Sequence, residues 1–147
     1  MGQHPNILQP SQQLLLNAHQ EKMKTILFIF LGGGLGSVFR YLTAKIIPIA
    51  KGAFPWPTLI VNLFGCFLIG LLMGWVIKNN LLRSDLYFFV AVGFCGGLTT
   101  FSTFSLEGLE FLKTGNYSAF FSYTLFSLIG GLIMVASGFS LLRLTNS

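Results

Sequence analysis

Charge is scarce in this chain. Asp, Glu, Lys and Arg together make up 9% of its 147 residues, against roughly 25% in soluble domains, which excludes a water-facing surface wrapped around a soluble core. The acidic residues number only four, Glu21, Asp85, Glu107 and Glu110, and their scatter offers no paired carboxylates for acid–base work. Both histidines, His4 and His19, fall in a polar N-terminal stretch. The two cysteines, Cys66 and Cys95, lie inside apolar runs, lack metal-ligand spacing and read as buried structural thiols. An enzyme is therefore not expected. Nor is a nucleotide-driven pump, because the glycines at 32 to 36 miss the dinucleotide-binding pattern: Ser37 stands where its last glycine would fall.

What the chain does have is apolar length. Hydrophobic residues make up 53% of it, and the mean hydropathy is +0.73. Four runs are long enough to cross a bilayer, at about 25–47, 57–77, 86–112 and 117–142. The connections between them are short and carry turn and flank residues: Lys51 and Gly52, then Lys78 to Arg83, then Lys113 to Asn116. Adjacent spans are thus expected to be antiparallel neighbours. The fold class read from this is an all-α membrane protein of four transmembrane helices, one domain over 23–147. A multi-pass place in the cell inner (plasma) membrane is expected.

Residues 1–22 read as a polar tail, disordered or preceding the true start. The cluster Leu14 to Leu16 is too short for a signal-peptide core, and Met23-Lys24-Thr25 opens directly into the first span.

The net charge of +5 does not point to nucleic acid, since the basic residues are scattered singly between spans rather than gathered on one face. Apart from Arg40, which lies within a span, Lys22, Lys24, Lys78, Arg83 and Arg143 fall on one side, and Lys45, Lys51 and Lys113 on the other. Such a near-balance permits insertion in both orientations; it also fits a single, weakly signalled topology.

Function must come from the polar residues that a bilayer makes expensive. Thr58 and Asn62 share a face of the second span, where Asn62 needs a partner, either another helix or a permeating ion. Tyr123 and Ser127 share a face of the fourth span with Gly131, although a serine hydroxyl can also bond its own backbone. Glycines four apart, Gly32 with Gly36, Gly70 with Gly74 and Gly93 with Gly97, read as helix-packing positions.

The third span differs in kind. Gly93 to Ser105 reads GFCGGLTTFSTFS, and glycine costs about 1 kcal/mol relative to alanine in a helix interior. A helix broken at mid-membrane is predicted, its freed carbonyls near Gly96 and Thr99 suited to a cation and its donors Ser102 and Thr103 to an anion. Phe101 and Phe104, three apart, share a face. Their ring edges are the positive end of the aromatic quadrupole and can line an anion path without trapping the ion.

Three blocks, GGGLGSVFRY at Gly32 to Tyr41, PTLIVNLFG at Pro57 to Gly65, and the span-three sequence above, make the chain from Met23 onward resemble the fluoride channel family, the Fluc or CrcB proteins. The resemblance implies an antiparallel, dual-topology homodimer with two fluoride pores, and a structural Na+ at the dimer centre held by the backbone carbonyls of Gly96 and Thr99. It further implies Asn62 as the pore asparagine and Phe101 and Phe104 as the pore phenylalanines. Ser102, Thr103 and Glu107 match the polar end of the pathway, and Tyr123, Ser127 and Thr58 its polar track; Arg40 matches the basic residue of span one. Gly131 departs from the pattern, standing where family members can carry a further serine. The expected function is passive export of fluoride, with several weak donors replacing the ion's water shell in steps. The rivals are a small multidrug-type proton-coupled cation exporter, which needs an acidic residue deep in a span, and a non-transporting scaffold.

Overall fold

A computed structural model describes residues 9–48, 50, 52–79, 81–82 and 84–144, the side chains of 143 and 144 excepted. Of the flanking charges weighed above, Lys51, Arg83 and the Arg143 side chain lie outside the described residues, as do Asn80, His4 and residues 145–147. The described chain is all helical, in the order α1 (Pro10–Ile46), α2 (Trp56–Asn79), α3 (Asp85–Tyr87), a π-helical segment (Phe88–Cys95), α4 (Gly96–Leu98), α5 (Phe101–Lys113) and α6 (Tyr117–Leu144). Four helical stretches have the length and apolarity to cross a membrane: Pro10–Ile46, Trp56–Asn79, Asp85–Lys113 and Tyr117–Leu142.

The first of these begins earlier than the sequence pattern suggested. Residues 10–22, expected to be an unstructured tail, continue the first span as helix. Pro10 occupies the first helical position, where its missing N–H costs nothing, and the Gln9 N–H donates to Oε1 of Gln12 at 3.4 Å. Gln, Leu, Ala, Glu and Lys then supply good helix propensity. Weak hydrophobic periodicity keeps this segment from being buried, and Leu14, Leu15 and Leu16 are exposed; it does not keep the segment from being helical. At 1.5 Å per residue the 37 residues of α1 extend about 55 Å, well beyond the roughly 30 Å of a hydrocarbon core.

The spans pack as two pairs. Along one, α1 lies against the π-helical segment and α4, and the glycines of both sides let the backbones meet. A Cβ on Gly36 would collide with the Phe94 carbonyl, and one on Gly97 with the Gly33 carbonyl. Along the other, α2 lies against α6, where Gly70 faces the Val135 backbone and Gly138 that of Phe67. Small-residue contact of this kind replaces the hydrophobic driving force that lipid does not supply. An ion pair between Lys24 and Asp85 ties α1 to the start of α3.

Short turns close the connections. Gly52 (φ 81°) and Gly115 (φ 72°) adopt left-handed backbone, which costs glycine no Cβ clash. Asn116 then caps α6, its Oδ1 accepting the Ala119 N–H at 3.2 Å.

Candidate functional site

Between α4 and α5 the chain leaves the helical path for two residues. Thr99 (φ −79°, ψ 152°) and Thr100 (φ −147°, ψ 116°) are both extended. The last bond of the incoming helix runs from the Thr99 N–H to the Cys95 carbonyl at 3.0 Å. The next donor, the Thr100 N–H, goes instead to Oδ1 of Asn62 at 2.8 Å, while Nδ2 of Asn62 donates to the Thr100 carbonyl at 3.2 Å. One side chain of α2 thus engages both polar groups of the same extended peptide residue.

Thr100 also starts the outgoing helix. Its Oγ1 accepts the Thr103 N–H at 3.2 Å, the usual N-cap bond; the same hydroxyl donates to Oγ1 of Thr103 at 3.0 Å and meets Oγ of Ser102 at 3.2 Å. In an uninterrupted helix the Thr100 N–H would bond the Gly96 carbonyl and the Thr103 N–H the Thr99 carbonyl. Both donors are diverted, so both acceptors lose their helical partner.

A second polar cluster joins three elements. The buried Thr58 of α2 donates to Oε1 of Glu107 at 2.7 Å. The fully buried Tyr123 of α6 donates to Oε2 of Glu107, also at 2.7 Å. The carboxylate on α5 is therefore bonded at each oxygen.

Two cavities flank Thr100. A 260 Å³ pocket is lined by Asn62, Cys66, Thr99, Phe101, Phe104 and Ser127, among others. The Phe101 and Phe104 rings lie 5.8 Å apart at 35°, and Phe104 leans on Tyr123 at 4.9 Å. Oγ of Ser127 is buried and, among the described residues, has no hydrogen-bond partner. On the other side, a 290 Å³ pocket takes Ser37, Arg40, Tyr41, Thr58, Thr100 and Thr103 among its walls, with the guanidinium as its cation.

Of the residues singled out in the sequence, Asn62, Phe101, Phe104 and Ser127 come together around the first pocket, and Arg40, Thr58 and Thr103 around the second. Tyr123 and Glu107 sit in the hydrogen-bonded cluster between α5 and α6. Ser102 is exposed and, among the described residues, its hydroxyl meets that of Thr100. Gly96 lines neither pocket, is exposed, and would have no atom within 4 Å of an added Cβ. Thr100 is the residue that sequence reasoning missed; a hydroxyl immediately before a helix start, with a polar residue three positions on, is the signal that points to it. Cys66, read as a buried thiol, is half-buried at the wall of the first pocket, whereas Cys95 is buried.

A four-span helical membrane protein whose polar side chains converge on an interruption in the third span has the build of a channel or transporter. The family model described as CrcB-like protein, Camphor Resistance (CrcB), matches residues 27–139, and the chain belongs to this family. It is 42% identical over 120 residues to a protein of Azobacteroides pseudotrichonymphae named fluoride-specific ion channel FluC, a match covering 81% of this chain and 96% of that protein. Proteins of the same name from Phocaeicola vulgatus and Flavobacterium psychrophilum are 45% and 44% identical, each over 117 residues, 79% of this chain and 96% and 94% of theirs.

Proposed function

We propose that this protein is a fluoride-selective channel that lets fluoride leave the cell passively, relieving its toxicity, and that it works as an antiparallel, dual-topology homodimer. The observation that carries the reading is the pocket lined by Asn62, Phe101, Phe104 and Ser127, whose buried hydroxyl has no hydrogen-bond partner among the described residues. These groups offer hydroxyl and amide donors and positive ring edges, with no full cation to hold the ion fast. Ser102 and Thr103 extend the donors along the path, Arg40 raises the local anion concentration at its vestibule, and Thr58 and Tyr123, whose hydroxyl protons go to Glu107, shape the polar end of the path with that carboxylate rather than donate to the ion.

The helix break serves a second role at membrane depth. The carbonyls of Gly96 and Thr99 fit a structural Na+, because backbone oxygens are its preferred donors and these two have lost their helical N–H partners. The bound ion would supply charge to fix two copies together; it takes no part in conduction. Phe101, 80% exposed, and the exposed Gly96 are open to being covered by a second, inverted copy.

The proton-coupled exporter is the weaker reading. Its acid would have to be Glu107, whose two oxygens are both occupied by hydroxyl donors, so a cationic substrate would first have to displace them.

Efflux from liposomes tests the proposal. A fluoride-selective leak needing no proton gradient, and lost in Phe101→Ile or Phe104→Ile, is the expected result; proton-coupled cation movement or the absence of flux would overturn it. C-terminal reporters should appear on both sides of the membrane, and a one-sided result would exclude the antiparallel dimer.

A further inference from the structure

We infer that Asn62 is a positioning residue for the cation as well as a wall of the anion path: by capturing the Thr100 N–H, it keeps the Gly96 carbonyl from being taken up by the helix. This inference rests on the cation reading above and deepens it.

The geometry is local. The helix from Gly96 to Leu98 makes its final bond from the Thr99 N–H, so the next donor decides whether the helix continues. That donor is the Thr100 N–H, and without Asn62 its nearest helical acceptor is the Gly96 carbonyl. Thr100 is buried, where an unbonded N–H is costly and would seek that acceptor. Asn62 can reach it because α2 passes very close to the break: one turn beyond Asn62, a Cβ on Gly65 would strike the Thr99 methyl group. The reciprocal bond from Nδ2 to the Thr100 carbonyl holds the peptide from its other side and fixes the amide's orientation. A side-chain amide carries two N–H donors, and only one is spent on Thr100, so the second remains for the 260 Å³ pocket that Asn62 also lines. A single side chain therefore links the anion path to the cation site.

Acceptor and donor of the Asn62 amide can be separated by substitution. Thermal unfolding of the full chain in detergent is followed as Na+ replaces N-methylglucamine at constant ionic strength. The wild type should be stabilised by Na+. Asn62→Ala, which frees the Thr100 N–H, should raise the half-maximal Na+ concentration about tenfold, the effect expected when a backbone donor competes for the same oxygen. Asn62→Asp keeps an acceptor for that N–H and should bind Na+ no more weakly than wild type. Ser127→Ala should lower fluoride efflux and leave the Na+ midpoint unmoved.

An unshifted midpoint in Asn62→Ala would overturn the inference. So would an Asn62→Asp shift as large as that predicted for alanine, which decides the matter even if the alanine variant does not fold. A wild type indifferent to Na+ would remove the cation reading itself, and this inference with it.

Discussion

Tyr123 and Glu107, sixteen residues apart in sequence, meet at 2.7 Å where α6 crosses α5. The tyrosine is fully buried, so its hydroxyl has little choice of partner. Because α5 otherwise makes few contacts with the rest of the bundle, this bond and its counterpart from Thr58 fix where the outgoing half of the third span stands.

Removing that hydroxyl should therefore be felt as instability. Tyr123→Phe leaves one carboxylate oxygen without its donor, at a cost of about 1–3 kcal/mol, and should lower both the unfolding midpoint in detergent and fluoride efflux. Unchanged stability would show that Glu107 is satisfied in another way.

The two phenylalanines should separate by readout. Phe101 is exposed and Phe104 rests on Tyr123. Isoleucine at either should reduce efflux by tenfold or more, on the order of 1.4 kcal/mol or above, but only Phe104→Ile should also lower the unfolding midpoint of the chain.

Gly34 and Gly36 make a matched pair of opposite sign. An alanine Cβ at Gly36 would strike the Phe94 carbonyl, whereas at Gly34 it would meet nothing within 4 Å. Gly36→Ala should destabilise by about 1–3 kcal/mol, the range for overpacking; Gly34→Ala should be neutral or stabilise by up to about 1 kcal/mol through helix propensity. Equal effects in a chemical-denaturation comparison would refute the close packing of α1 on the third span.

Gly131 can be given the serine that the family pattern allows. An added Cβ would lie 3.4 Å from the Cys66 sulfur, an ordinary contact. Gly131→Ser should fold normally and conduct fluoride at least as well as the native chain in a side-by-side efflux assay.

Deleting residues 2–22 should leave efflux within about twofold of the full chain, on the order of 0.4 kcal/mol. Among the described residues, 10–22 are exposed helix that makes no hydrogen bond to the residues around the two pockets. A large loss would assign the extension a part in insertion or conduction.

The four spans were legible because bilayer thickness sets a length that apolar runs either reach or miss, and 86–112 was read within a residue of its helical limits. Thr99 and Thr100 are extended within a stretch whose glycines and threonines serve a helix poorly. The internal division of that stretch was not legible. Thr100 acts as a cap only once the helix is known to restart at Phe101, and the π-helical turns of Phe88–Cys95 leave no periodic signature in so uniformly apolar a stretch. Pro10 to Lys22 was misjudged because amphipathic pattern reports burial, and an exposed helix can do without it. The pairing of Asn62 with Thr100 depends on how close α2 comes at Gly65, a distance no single-chain pattern encodes.

The pairing of spans has a mechanical consequence. One block consists of α1 with the incoming half of the third span, the other of α2 with α6, and the third span leaves its helical path between its two halves at Thr99 and Thr100. Those two extended residues are a joint within the span, and Asn62 of the second block holds it. A slip of one block against the other would bear on that joint, beside the Phe101 and Phe104 rings, so a shift between helices far from the pocket would be registered in its wall.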